Sequence, residues 1–389
     1  METRDVYIVA AVRTAVGKAK RGILAQLNPI EMGGAVLGEV VKRAGIEPAQ
    51  VQDVTMGCAF PEAEQGMNPA RLCVLRAGYP DTVPAVTVNR FCSSGLESIA
   101  ITTAKMRCGM FDIAIAGGVE TMSLIAMTGT KFAPNPWMTK ERCDIYTSMG
   151  CCGDNVARDF NISREEMDQL GLRSNQLAAK ANAEGKFKDQ IVPLEVPQPG
   201  GKTKIFDVDE GPRPDTTLEG LAALKPAFAP SPKLGFCTAG NSSQMSDGAA
   251  AVVLMSEKAV KETGAQPIAR LVGYAAHAGS PRYLGPAQTE AIPHALDLAG
   301  LKLDDIDLIE NNEAFSSQCL YVCREMKMDM DKVNVNGGAI ALGHPLGCTG
   351  AKLTTQIIYE LRARKAKYGL VTMCIGGGMG AAGVIEAIN

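Results

Sequence analysis

The chain has 389 residues, 46% of them hydrophobic and 21% charged, enough to bury a large core in two or three domain-sized units. A formal net charge of −3 offers no electrostatic footprint for nucleic acid, and no block of Lys or Arg stands out. No apolar run approaches the roughly 18 to 20 residues that a membrane-spanning helix needs, and the opening METRDVYIVAAVRTAVGKAKRG lacks the pattern of a signal peptide, so a cytoplasmic protein without membrane contact is expected.

In chain order, the first two thirds read as strands VYIVAAVRT, DVTMGCAF, AVTVNRF, FDIAIAGG and AAAVVLMS. The last third repeats the order with IARLVGYAAH, DIDLIENNEAF, KVNVNGG, GLVTMCIGG and AAGVIEAI. Helical segments occupy corresponding places: PIEMGGAVLGEVVKRAG matches TEAIPHALDLAG, and SSGLESIAITTAKMRCG matches GCTGAKLTTQIIYELRARK. This predicts an α/β protein with a duplicated half. Near-continuous apolar strands call for sheets covered by helices on both faces, the halves packing back to back around shared buried helices.

From about residue 120 to 247 the pattern breaks into APNPWMTKERCDIYTSMG, the amphipathic SREEMDQLGLRSNQLAAKANAEG and a Gly/Pro-rich loop. The expected units are 1–119 plus 248–265, an inserted loop domain at 120–247, and 266–389. Such an insertion shapes a binding site, the plain alternative being a structural flap.

Twelve cysteines at this length are dilute and read as free thiols in a reducing compartment. No CxxC pair or zinc-ligand spacing occurs, so no metal site is expected. Cys58, Cys73, Cys108, Cys143, Cys237 and Cys348 read as small packing residues.

Three glycine-flanked turns each carry one reactive side chain. Cys92 falls between AVTVNRF and SSGLESIAITTAK, a sharp strand-to-helix turn where the helix dipole is expected to lower the thiol pKa and backbone N–H groups form an oxyanion hole. A buried structural Cys is the bland alternative. His344 occupies the equivalent turn of the second half, and duplicated elbows would meet across the interface. Of the three histidines, it is a better base candidate than His277, in a strand, or His294, in a helix. Cys374 ends an apolar strand and opens Gly376, Gly377 and Gly378, whose amides can approach an anion. Asn312 in ENNEAF either orients a water or carbonyl or caps the following helix.

NRFCSSGL, AGGVETMS, NNEAF, GGAIALGHPLGCTGA and CIGGGMG, in this order from first strand to last, resemble the signatures of the thiolases. The resemblance implies the thiolase fold, two βαβαβαββ halves packed as αβαβα layers with an inserted loop domain. It implies that Cys92 attacks a 3-ketoacyl-CoA with His344 as base and Cys374 as second acid/base. It places the enolate oxygen near His344 and an Asn312-held water, and the thioester oxygen at the amides of Cys92 and Gly376. Coenzyme A and acyl-CoA are then substrates and no cofactor is tightly bound. The implied CoA contacts are Arg213, Lys225, Ala239, Gly240 and Ser243, with Met149, Phe228 and Phe315 lining the tunnel. A homodimer or homotetramer is the implied assembly. Ser148, Gly220, Lys225 and the Leu284-Gly285-Pro286-Ala287-Gln288 segment depart from the family pattern, so acyl-chain length does not carry over. A degradative 3-ketoacyl-CoA thiolase is the first reading. Acetoacetyl-CoA thiolase is the second, and an idle CoA- or lipid-binding relative is the alternative of another class.

Overall fold

The computed structural model describes residues 4–229, 231 and 234–389. The first half contributes strands Val6–Thr14, Asp53–Gly57, Ala85–Val88, Ile113–Thr121 and Ser246–Ser256, with helices Pro29–Ala44, Pro69–Arg76 and Ser94–Arg107. The second contributes strands Ala269–Ala278, Leu308–Asn311, Tyr368–Ile375 and Met379–Ala387, with helices Pro286–Ala299, Ser316–Glu325 and Leu346–Arg364. The repeated order of the sequence is thus the repeated order of the fold, with one difference. KVNVNGG is not a strand; it contributes a single bridge from Val333 to Ile309. Asn334 explains the shortfall: it turns left-handed at φ 48°, and its side-chain amide takes the place of a neighbouring backbone by accepting from Asn311 N at 2.9 Å and donating to Asn311 O at 2.8 Å.

Side-chain alternation produces the layers. Along Ser246–Ser256, Ala249, Ala251, Val253 and Met255 join the core beneath the outer helix Pro29–Ala44. Ala250, Val252 and Leu254 face the other way, onto Leu96, Ile99, Leu353 and Ile357 of two central helices. In the second half, Val371, Met373 and Ile385 meet those same helices, while Leu370 and Val384 pack with Ala291, Ile292 and Val322 outside. The result is αβαβα. The sheets join where Ile8 pairs with Ala269, and bulges between Ile8 and Ala10 and between Leu271 and Gly273 turn each strand away from the seam.

The central helices Ser94–Arg107 and Leu346–Arg364 cross almost backbone to backbone. A Cβ on Gly95 would stand 2.7 Å from Ala351 N and 2.9 Å from Gly347 O. Strands Ile113–Thr121 and Ser246–Ser256 pair continuously from Ile113↔Met255 to Thr121↔Asp247, so residues 122–245 leave and return at the same end of the sheet. That excursion holds helices Met149–Asp159 and Arg164–Ala183, the second begun by a Ser163/Glu166 capping box. It is anchored by the buried Arg13–Asp209 pair, bidentate at 2.8 Å.

Candidate active site

Cys92 lies in a single tight turn, Phe91–Ser93, between strand Ala85–Val88 and the helix from Ser94. Phe91 takes φ 43°, a conformation sparsely allowed to a bulky side chain, which marks the elbow as strained. The thiol is buried, and the N–H groups of Gly376 and of Cys92 itself point at its sulfur. The expected lowering of the thiol pKa does not occur: burial pushes it up to about 12, with Glu120 adding to the rise and the two N–H groups opposing it. The helix N-terminus provides donors but cannot offset desolvation.

His344 follows Gly343, at φ 89°, and precedes Pro345 and the helix from Leu346. Its backbone N–H donates to Gln244 O at 3.1 Å. Thr349 Oγ1 stands 2.9 Å from Pro345 O and 2.6 Å from His344 Nδ1. The hydroxyl has one proton and gives it to the carbonyl, so it accepts from Nδ1–H. Nε2 is then the bare lone pair, 3.3 Å from the Asn312 amide nitrogen, which donates to it. Burial first, and the charge of Lys352 second, push the imidazole down to about 3, so it stays neutral and able to accept a proton. Asn312 does not cap the next helix; Phe315 stands at that N-cap with no side-chain bond. His277 and His294 are exposed on their strand and helix.

The two elbows meet as their equivalent positions require. The Phe91–Ser93 turn packs on the helix from Leu346, and Cys92 shares a cluster with Leu346, Ala59 and Met122. Glu120 ties this junction together, accepting from Ala59 N, Gly347 N and Gln65 Nε2 at 2.7 Å each. Cys374 completes the group. Its thiol is buried, raised well above the ordinary value by desolvation and then by the neighbouring Cys92. Gly377 and Gly378 follow at φ 82° and 77°. Met149 Sδ and the Phe91 ring stand 3.5 and 3.6 Å from where a Cβ on Gly376 would sit, ordinary contact distances that make these two side chains the walls of the turn.

Of the expected CoA contacts, Phe228 and Phe315 meet edge to face at 5.8 Å over Gly150 and Gly153 of the helix that Met149 begins. The Ala239–Gly240–Ser243 loop is stitched beside them, through Ser243 N to Ala314 O at 2.9 Å and a bridge from Ser242 to Phe315. Arg213 and Lys225 stand exposed on the outer loops, and neither side chain bonds to the reactive groups. Ser148, where the family pattern differs, caps the Met149–Asp159 helix by accepting from Cys151 N. Cys108 and Cys143 are exposed, a correction to their reading as packing residues: each lies at an element end on the surface. Glu120, Thr349 and Lys352 were not singled out from the sequence, although a Glu ending an apolar strand and a Lys amid GCTGAKL are visible signals. Among the described residues no group of His, Cys, Asp and Glu could hold a metal ion, and no helix is long and apolar enough to cross a membrane.

The family model "Thiolase, N-terminal domain" matches residues 6–258, and "Thiolase, C-terminal domain" matches 265–387. The chain belongs to the thiolase family. This thiolase is 51% identical to a 3-ketoacyl-CoA thiolase of Bacillus subtilis, over 98% of this chain and 99% of that one. It is 41% identical to an acetyl-CoA acetyltransferase of Allochromatium vinosum, over 98% and 99%. The crystal structure of the Bacillus anthracis acetyl-CoA acetyltransferase superposes on the thiolase described here with a TM-score of 0.91 at 41% identity, covering all of both chains.

Proposed function

We propose that this thiolase cleaves 3-ketoacyl-CoA with coenzyme A through an acyl-Cys92 intermediate, and that its working direction is degradative. The observation that carries the reading is the convergence of Cys92, the Gly376 amide and Cys374 at one buried point, beside a neutral imidazole whose Nε2 lone pair accepts from the Asn312 amide.

The Cys92 sulfur attacks the 3-keto carbon and its proton passes to His344 Nε2. The C2–C3 bond breaks, its electrons leave as the enolate of acetyl-CoA, and the Cys374 thiol protonates C2. Incoming CoA gives its thiol proton to Cys374 and attacks the acyl carbon. Cys92 leaves and recovers its proton from His344. The amides of Cys92 and Gly376, already aimed at the sulfur, are placed to receive the thioester oxygen, and the Asn312–His344 pair to receive the enolate oxygen. Met149, Phe228 and Phe315 form the apolar walls for pantetheine, the Ala239–Ser243 loop its polar side, and Arg213 and Lys225 the nucleotide end.

The degradative direction is favoured by the higher identity to the 3-ketoacyl-CoA thiolase than to the acetyl-CoA acetyltransferase. Steady-state cleavage of acetoacetyl-CoA against C8 to C16 3-ketoacyl-CoA tests it: longer substrates should be cleaved, and cleavage of acetoacetyl-CoA alone would make this the two-carbon enzyme. The sheet ends at strand Ala85–Val88, whose outer edge pairs with no other described strand, and Met67 and Phe91 are exposed. A homodimer closed across this edge, or a tetramer of two, is the assembly we propose, in the cytoplasm.

A further inference from the structure

Lys352 lies in the middle of the central helix whose entry turn carries His344, and it is 1% exposed. Among the described residues its Nζ has no hydrogen-bond partner and no carboxylate within ion-pair distance. A buried cation without a contact partner costs stability, and its field is not quenched by a direct bond. Along strand Leu308–Asn311, Leu308 faces the central helices and Ile309 the outer core. Alternation therefore puts Glu310 and Asn312 on the same inward side as Leu308. Asn311 confirms the phase by bonding outward to Gln288 and Cys323. Glu310 thus sits one pleat, roughly 7 Å, behind Asn312, with Oε2 buried and unpartnered.

We propose that Lys352 is a positioning residue of this thiolase, a fixed positive charge on the helix that follows His344, which tempers the imidazole as a base and favours the oxygen that gathers charge beside His344 and Asn312. This rests on His344 being the base for Cys92. The Lys352 charge is the second cause, after burial, of the low His344 pKa. Lys352 is faced by Arg13 from strand Val6–Thr14, Asp209 from the insertion, Glu310 from strand Leu308–Asn311 and Cys348 from its own helix. Glu310 is faced in turn by Glu313 and Glu360. Burial lowers the Lys352 pKa and raises that of Glu310, each toward its neutral form, while Asp209 and Glu310 oppose the first shift and Lys352 opposes the second.

A unit charge at about 10 Å in a protein interior shifts a neighbouring pKa by roughly one unit. Lys352→Met should therefore raise the rate at which iodoacetamide alkylates Cys92 at pH 7 by about tenfold, because His344 becomes the stronger base. It should lower the thiolysis kcat by about tenfold, because the enolate oxygen loses its favourable field. Lys352→Arg, which keeps the charge, should hold both near the parent values. Lys352→Met combined with Glu310→Gln removes the uncompensated carboxyl and serves if the single variant does not fold. Equal losses in both assays, or no change in either, would overturn the proposal. His344→Asn separates the underlying reading: if it leaves Cys92 alkylation unslowed, His344 is not the base, whatever Lys352 does.

Discussion

Asn312 Nδ2 and His344 Nε2 lie 3.3 Å apart, one at the end of a strand and the other at the entry to a central helix. The amide hydrogen has no better acceptor, and the imidazole has its other nitrogen committed to Thr349. Each therefore fixes the other. The unpartnered Asn312 Oδ1 leaves a buried acceptor facing the same space, which suits a group that handles a proton in transit.

Thr349→Val removes the hydroxyl that dictates which imidazole nitrogen is protonated. The expected loss in kcat is about 10- to 100-fold with KM little changed, since the substrate walls are untouched. Thr349→Ser should recover most of it. Steady-state kinetics of the two variants, with circular dichroism as a folding control, provide the check.

His344 also contributes a pH-dependent term to stability. Its folded pKa, about 3, lies below the ordinary value of 6.5, so the unfolded chain binds the proton more readily. The stability from keeping it neutral is complete above 6.5 and is lost as pH falls from there toward 3. The difference in unfolding free energy between the parent and His344→Asn should change by about 1.4 kcal/mol per pH unit in that window. Parallel denaturant titrations at pH 7, 6 and 5 measure it, and a difference independent of pH would exclude a buried neutral imidazole.

Much of this was legible in the chain. The three elbows declared themselves because glycines and prolines interrupt apolar runs, and the repeated order of segments anticipated which elbows would meet. The charge states were not legible. Local sequence places Cys92 at a helix N-terminus, but its desolvation comes from Ala59, Met122 and Leu346, which are remote along the chain. Val333 failed as a strand because the side chain of Asn334 replaced a backbone ladder, a competition that alternation alone does not reveal. The burial of Lys352 comes from the layers that close around its helix, not from its immediate neighbours in the chain.

Cys374→Ala should leave Cys92 able to take an acyl group but unable to finish a cycle. The expected result is one equivalent of acyl-enzyme from an acyl-CoA donor, seen by intact mass spectrometry, with turnover down by about 10² to 10⁴. Cys92→Ala should give no adduct. Turnover near the parent rate in the Cys374 variant would remove that thiol from the proton pathway.

Gly95→Ala tests whether the crossing of the two central helices sets the site. A methyl there would meet Ala351 N and Gly347 O within 3 Å, and backbone atoms cannot move aside as a flexible side chain does. The helices must separate, at a cost of about 1 to 3 kcal/mol in stability. Because Gly95 is three residues from Cys92 and Gly347 three from His344, the separation acts on both reactive groups at once. Activity should fall well beyond the fraction unfolded, and thermal melts alongside thiolysis assays distinguish the two effects. A variant that is less stable yet fully active when folded would mean that the elbows tolerate displacement, and that the glycine contact serves packing alone.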